Sequence, residues 1–364
     1  MKIAYFSDTY KPQINGVVTS IENFKDELKK RGHDVHLFVP KAPDFNPKDK
    51  KIHTFTSSEF KKYAGYRVSV PLRLINFDFS DFDIVHAQTP ATMGVAAKII
   101  SKRRKLPFFA TYHTSLDEYA HYLTNIKFFK KLTEKAIWTF TRKYYNATDS
   151  VLVPTEKIKK KLKKNGIKRK IDVIPTGVKI KKLKKSKNQL KQKYTLENSQ
   201  VVLHVGRVTK EKNIDTVIKA FEKLDKNYKL IITSDGPYKK KLEEKTKQNK
   251  NIIFTGYLSD KELKEYYKLS DVFVMASETE TQGLVLLEAL IGENPLVVLD
   301  APVIGDFVKK EDVGYVCSEA KQMAGAIKKA IKNDKFKEQR KRTLDKYNIK
   351  KCTDKLVSVY EEQK

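Results

Sequence analysis

Cysteine is almost missing from this chain: Cys317 and Cys352 are the only two in 364 residues. That excludes a disulfide framework and a cysteine-rich metal centre. Metal-binding signatures of other kinds are missing too, since there is no HExxH and no paired Cys/His spacing. No apolar run reaches the ~18 residues that a spanning helix needs. The N-terminus has a lysine but no apolar leader with a cleavage site, so a reducing cytoplasmic setting is expected. Acidic residues are in the minority, 44 against 74 Lys plus Arg, for a formal net charge of +30. Such a surface attracts polyanions, whether phosphates, nucleic acid or an anionic leaflet.

What is present is alternation of strand and helix. Residues 2–7 read as a buried strand. Val17, Ile21, Phe24 and Leu28 then form an apolar stripe that predicts a helix over 15–31, ended by Gly32. Strands follow at 33–40, 84–86 and 107–113, with a helix over 91–102. The series restarts after residue 200, with strands at 200–205, 229–233, 252–255, 272–276 and 295–299. Helices over 213–224, 260–267 and 284–291 alternate with them. Two such series predict an α/β chain of two doubly wound, Rossmann-like domains with mostly parallel sheets. Between them, residues 179–193 carry eight lysines and read as a linker or solvated flank. Residues 336–362 read as a helical tail. Open α/β sheets bind ligands outside the carboxyl ends of their strands, so two facing domains make a cleft there.

Strand ends therefore come first. Asn15-Gly16-Val17 opens the first helix, where glycine permits close approach and the helix N-terminus presents N–H groups. A plain tight turn gives the same sequence. Gly206-Arg207 ends the first strand of the second series, and Lys212 lies in the same connection. A guanidinium fork and an ammonium point charge suit a diphosphate. Glu280 and Glu288 flank Gly283, and carboxylates there accept from sugar hydroxyls; a glycosidase pair or solvated helix acids are the alternatives. His113 closes a strand and is placed either to donate into a cleft or to serve structure.

Residues 121–145 repeat apolar side chains at helical spacing (Ile126, Phe129, Leu132, Ala136, Phe140, Tyr144). Lys127, Lys130, Lys131 and Lys135 lie between them, with Trp138. An interfacial helix has this pattern, and so does a helix packed on a core. Residues 156–170 add nine more Lys and Arg around a short helix. Together they form a basic surface suited to an anionic leaflet.

The order of the motifs resembles the retaining GT-B glycosyltransferases, in the branch of bacterial diacylglycerol glucosyl- and galactosyltransferases. Residues 7–17, Ser-Asp-Thr-Tyr-Lys-Pro-Gln-Ile-Asn-Gly-Val, are similar to that branch's opening. Pro90 to Gly94, Tyr112-His113-Thr114, Pro175-Thr176-Gly177-Val178, Gly206-Arg207 through Asn213, and Glu280 through Glu288-Ala289 follow in the family's order. Departures are Ser234 in Ser234-Asp235-Gly236-Pro237, where the family often has glycine, Thr176 in place of Asn, and Lys179 in place of Asp.

The resemblance implies a UDP-sugar donor, no required cofactor or metal, and a cleft between two domains. It implies that Gly16 lies beside the donor phosphates and that His113 meets the transferred sugar. Arg207 and Lys212 would neutralise the diphosphate, Glu280 would orient sugar hydroxyls, and Glu288 would hold the ribose. Gly283 and Leu284 complete that motif, and Gly256, Tyr257 and Leu258 border the base. The expected division is residues 1–176 with 345–364 as an acceptor and membrane-facing domain, 177–199 as linker, and 200–344 as donor domain. The activity expected is hexose transfer from UDP-glucose or UDP-galactose to diacylglycerol, giving an α-monoglycosyldiacylglycerol. The enzyme would sit peripherally on the cytoplasmic face of the membrane, partly cytoplasmic. Phosphatidylinositol, another glycolipid or a glycan is the alternative acceptor. A basic nucleic-acid-binding or surface-binding protein would explain the charge but not the ordered strand-end motifs.

Overall fold

The computed structural model describes residues 1–59, 67–71, 74, 76–114, 127–181 and 183–363, with the backbone alone for 127–131. The chain divides into two compact units, Met1–Gly177 with Ile349–Lys364, and Val178–Asn348.

In the first unit, seven parallel strands form one sheet in the order β3-β2-β1-β6-β7-β8-β9. They are β1 (Lys2–Phe6), β2 (Asp34–Pro40), β3 (Ile52–Phe55), β6 (Ile84–Ala87), β7 (Phe108–Thr111), β8 (Ser150–Val153) and β9 (Lys170–Val173). A separate antiparallel pair, β4 (Ser57–Glu59) and β5 (Arg67–Ser69), completes the strands. Side chains of β1 alternate between two cores, as a doubly covered sheet requires. Ala4 and Phe6 face a core with α2 (Thr92–Arg104), α3 (Lys127–Tyr145) and α4 (Glu156–Lys164). Ile3 and Tyr5 face a core with α1 (Gly16–Lys30) and the C-terminal helix Ile349–Glu361. The strands at 150–153 and 170–173 are not among those read from the sequence; the second, Lys-Ile-Asp-Val, offers only two apolar residues beside a lysine-rich stretch.

The second unit holds six parallel strands in the order β12-β11-β10-β13-β14-β15. These are β10 (Gln200–Val205), β11 (Tyr228–Thr233), β12 (Ile252–Gly256), β13 (Val272–Met275), β14 (Leu296–Leu299) and β15 (Gly314–Cys317). Leu203 and Val205 point to one core and Val202 to the other. The segment expected as linker contains α5 (Lys187–Lys193), which starts with a capping box between Ser186 and Gln189. Leu190 is buried, and Lys187 and Lys191 both reach Asp271 at 2.7 Å, which fastens this helix to the sheet. The remaining helices are α6 (Ile214–Phe221), α7 (Lys239–Thr246), α8 (Asp260–Leu269), α9 (Leu284–Ile291), α10 (Ile304–Glu311), α11 (Ala320–Lys332) and α12 (Lys337–Lys346). The expected helical tail consists of two helices, α12 and α13 (Ile349–Glu361), interrupted at Tyr347–Asn348. There the Val178 N–H donates to the Tyr347 carbonyl at 2.9 Å.

Candidate functional site

In the first unit the carboxyl ends of β1, β6 and β7 lie side by side, because β6 pairs with both β1 and β7. The loop from β1 to α1 is held at both ends. The buried Asp8 carboxylate accepts from Thr89 Oγ1 at 2.6 Å, Thr92 Oγ1 at 2.8 Å and the Met93 N–H at 2.8 Å. Burial raises its pKa, and the hydrogen bonds from Met93, Thr89 and Thr92 oppose that rise. At the other end Asn15 caps α1, its Oδ1 accepting from the Val18 N–H at 3.0 Å while Nδ2 donates to Thr9 Oγ1 at 2.9 Å. Glu22 adds a brace, accepting from Tyr10 OH at 2.5 Å and pairing with Lys11 and Lys25. Gly16 is therefore the first residue of a firmly capped helix at the sheet's ligand edge.

His113 follows β7 and is half-buried. Its Nε2 donates to Oε1 of the buried Gln88, 2.9 Å away at the end of β6. Burial pushes the His113 imidazole down to about 4, so the ring is neutral. A small cavity beside it is lined by Ser20, His86, Gln88, Thr111, His113 and Thr176 among others. His86 Nε2 lies 2.7 Å from Thr111 Oγ1 and its Nδ1 lies 2.5 Å from the Tyr360 hydroxyl, which places α13 behind this edge. Thr176 Oγ1 donates to Ser20 Oγ at 3.0 Å, so the threonine that stands where the family has asparagine is satisfied in place. The sequence reading missed Gln88. Its position at a strand's carboxyl end is the signal by which it is found.

In the second unit β10 runs into Gly206-Arg207, then the 3₁₀ turn Lys210–Lys212, then α6. Lys212 Nζ pairs with Glu280 Oε1 at 2.5 Å, with the two side chains 18% and 16% exposed. The fold therefore joins two residues that the sequence singled out separately. Arg207 is half-buried in the same connection. Gly283 starts α9 at φ +76, a left-handed conformation natural to glycine, and Leu284 is the first helical residue. Glu288, one turn further into α9, accepts from Tyr267 OH at 2.9 Å, and burial raises its pKa despite that bond. Gly256 ends β12, followed by Tyr257, which is 65% exposed, and by half-buried Leu258. Ser234 sits at φ +80, the left-handed region where the family's glycine is expected. Next to it, a side chain on Gly236 would meet the Val208 carbonyl at 2.2 Å, so the chain passes too close for any Cβ. Arg207, Lys212, Ser234, Gly236, Gly256, Glu280 and Gly283 all lie at or after the carboxyl ends of strands of one sheet.

The lysine-rich segment divides. Residues 121–126 lie outside the described residues, and Lys127, Lys130 and Lys131 belong to α3 by their backbone. Lys135 is exposed, as are Leu132 at 58% and Phe140 at 42%, whereas Tyr144 is buried. Trp138, expected as an outward amphipathic ring, is half-buried and packs on the first unit's core. It lies off the outward line of 132, 136 and 140. Among the described residues no group of His, Cys, Asp and Glu is arranged to hold a metal ion, and no helix is long and apolar enough to cross a membrane.

Two family models match the chain: Glycosyltransferase Family 4 over residues 14–182 and Glycosyl transferases group 1 over residues 186–350. An alpha-monoglucosyldiacylglycerol synthase of Streptococcus pneumoniae is 31% identical over 350 residues, covering 91% of this chain and 78% of the relative. One from Acholeplasma laidlawii is 32% identical over 332 residues, covering 85% of this chain and 83% of the relative. Among solved structures, Anabaena HepE in complex with UDP-glucose superposes over 100% of both chains with a TM-score of 0.79 at 16% identity, a likeness of fold. With two parallel α/β sheets, ordered strand-end motifs and these relatives, the chain belongs to the retaining, UDP-sugar-dependent GT-B glycosyltransferases and is related to the bacterial diacylglycerol glycosyltransferases.

Proposed function

We propose that the enzyme transfers glucose or galactose from its UDP-sugar to the free hydroxyl of diacylglycerol, giving an α-monoglycosyldiacylglycerol. The observation that carries this reading is the pairing of Lys212 with Glu280 at the carboxyl edge of the second sheet. It brings together a cation suited to a diphosphate and a carboxylate suited to sugar hydroxyls, which supports the reading. Arg207 and Lys212 neutralise the charge that grows on the departing diphosphate, aided by helix-end N–H groups such as those at Gly16. Glu280 orients the sugar hydroxyls, Glu288 holds the ribose, Gly283 and Leu284 shape the turn between them, and Gly256-Tyr257-Leu258 borders the base. His113 meets the transferred sugar. The acceptor attacks from the face that the diphosphate leaves, and the leaving phosphate takes the acceptor proton, which gives retention without a protein nucleophile.

A lipid acceptor is supported by where apolar surface is exposed. Ile14, Val68, Val70, Val95, Ile99, Leu132 and Phe140 of the first unit are all more than one-third exposed. Val95 and Ile99 share an outward line on α2 with Lys98, Lys102 and Arg103. Leu132, Ala136 and Phe140 do so on α3 beside Lys135 and Lys143. Apolar side chains rimmed by cations suit the interface of an anionic leaflet, so the enzyme works peripherally at the cytoplasmic face. A mass-resolved product assay with UDP-glucose, UDP-galactose and vesicles containing diacylglycerol tests the reading. Failure to form glycolipid with either donor sinks it, and turnover of a water-soluble glycan in its place moves the acceptor out of the membrane.

A further inference from the structure

We propose that Tyr267 is a positioning residue for the donor: its hydroxyl holds Oε2 of Glu288, so that Oε1 of the same carboxylate accepts from the ribose hydroxyls of UDP. This rests on the proposed role of Glu288 at the ribose. The Tyr267 hydroxyl donates to Glu288 Oε2 at 2.9 Å. Burial and the neighbouring carboxylate hold the phenol far above its usual range, so it keeps its proton and serves as the donor of the pair. Tyr267 is 3% exposed whereas Glu288 is half-buried, so the member of the pair within reach of a ligand is the carboxylate. The register of the pair is fixed by backbone. α9 ends at Gly292, where a Cβ would meet the Tyr267 carbonyl oxygen at 2.6 Å, so α8 and α9 touch main chain to main chain. Asn294 Nδ2 donates to that same carbonyl at 2.5 Å and to the Ala289 carbonyl at 3.2 Å, which ties the residue after Glu288 to the backbone of Tyr267.

A donor on Oε2 has two consequences. It fixes the orientation of the carboxylate, and it favours the ionised form, whose hydrogen bonds are about twice as strong as those of a neutral acceptor. Burial raises the Glu288 pKa, and the Tyr267 bond opposes that rise. The charged groups that act on the carboxylate are on α8 too: Asp260 raises its pKa and Lys264 lowers it. The other elements packed on α9, β14 and α12, turn Leu296, Val298 and Leu344 into the same core. Without the hydroxyl the effect of burial is less opposed, and the carboxyl takes up its proton at a higher pH. Recognition of ribose by charge-assisted bonds is then lost in a pH range where the tyrosine preserves it.

The test compares UDP with 2′,3′-dideoxy-UDP by calorimetric titration of the full-length enzyme. Both ligands carry the same diphosphate, so titration of the phosphate at about pH 6 cancels in the ratio of their dissociation constants. Wild type should prefer UDP about 10- to 100-fold at about pH 7.5, as charge-assisted hydrogen bonds to ribose hydroxyls provide. That preference should fall as pH drops through the Glu288 pKa. Glu288→Gln keeps an acceptor for Tyr267 but cannot ionise, so it should show a smaller preference with no such fall. In Tyr267→Phe the preference should shrink about 5- to 10-fold at about pH 7.5, and its fall should move to higher pH. KM for the UDP-sugar should rise by a similar factor with kcat nearly unchanged, since the ribose is held equally in the ground and transition states. A Tyr267→Phe enzyme that keeps the wild-type preference, or that loses it equally at every pH without moving the fall, overturns the inference. Wild type that binds both ligands alike overturns the role of Glu288 at the ribose and the inference that rests on it, and this failure is told apart because it appears without any substitution.

Discussion

Removing the Glu280 carboxylate should separate affinity for UDP from the ability to transfer sugar. Lys212 Nζ stands 2.5 Å from Glu280 Oε1. A phosphate oxygen that takes up this lysine at hydrogen-bonding range leaves its phosphorus about 6 Å from the carboxylate. At that distance and an effective dielectric of about 40, like charges repel by about 1.4 kcal/mol per unit pair. Glu280→Ala removes the repulsion and the competition for Lys212, so UDP should bind about fivefold more tightly, or about 1 kcal/mol. Transfer should fall all the same, because in the proposed site the sugar hydroxyls lose their acceptor. By analogy with a single charge-stabilising donor the loss is about 100- to 1,000-fold in kcat. Lys212→Ala behaves differently. It loses a charge-assisted bond worth about 1.5–3 kcal/mol, weakens UDP about 10- to 100-fold and also impairs transfer. Calorimetric titration of UDP into the two folded variants, at low and moderate salt, reads the contrast directly. If Glu280→Ala weakens UDP as much as Lys212→Ala does, the carboxylate serves to hold the lysine in place and the competition argument is wrong.

Three further outcomes are expected. Ser234→Gly should raise the melting temperature by about 2–4 °C, since relief of a left-handed backbone, net of glycine's entropy, is about 1 kcal/mol; an unchanged melt refutes strain at this turn. Burial opposes ionisation of Glu22, yet the Lys11, Lys25 and Tyr10 hydrogen bonds outweigh it and hold the carboxyl at about 2. Its stabilising contribution is thus present above the unfolded carboxylate pKa and lost as pH falls toward 2. Glu22→Gln should melt lower at neutral pH, with the deficit shrinking below about pH 4; a deficit constant with pH counts against the ion cluster. Leu132→Glu with Phe140→Glu should reduce co-sedimentation with anionic vesicles while leaving UDP affinity nearly unchanged, and equal sedimentation of variant and wild type removes the outward face of α3 from the membrane contact.

Legibility from sequence followed the strength of the local signal. α1 was readable to within a residue or so because Val17, Ile21, Phe24 and Leu28 form its buried stripe and Asn15 caps it. The central strands β1 and β10 were readable because both their faces are covered. β9, Lys-Ile-Asp-Val, offers only two apolar residues beside a lysine-rich stretch, and β8 is set between the two lysine-rich helices α3 and α4. The helix at 187–193 was hidden by the same cause, because one apolar residue, Leu190, and two lysines that fold onto Asp271 do its anchoring. A lysine count cannot separate those that are solvated from those that are paired. At the donor edge, residue types and order marked Lys212 and Glu280 individually, but only the pairing of β10 with β13 brings their connections together.

The surface of the first unit shows why periodicity alone cannot assign a partner. In residues 127–145 an apolar line recurs every three or four residues, as any covered helix would have. What the sequence cannot state is which side of the helix the sheet occupies. Tyr144 and Tyr145 are buried and Trp138 leans on the core, which fixes the inward face and turns Leu132, Ala136 and Phe140 outward. The same reasoning applies to α2, where Met93, Ala97 and Ile100 fill the core and Val95 and Ile99 are left over. A surplus of apolar positions beyond those the core uses is thus a sharper indication of an interfacial helix than its periodicity. Here that surplus falls on the unit that also carries His113. An acceptor that keeps its acyl chains in the leaflet while offering its hydroxyl to the protein fits that placement, whereas a water-soluble glycan gives those exposed side chains nothing to contact.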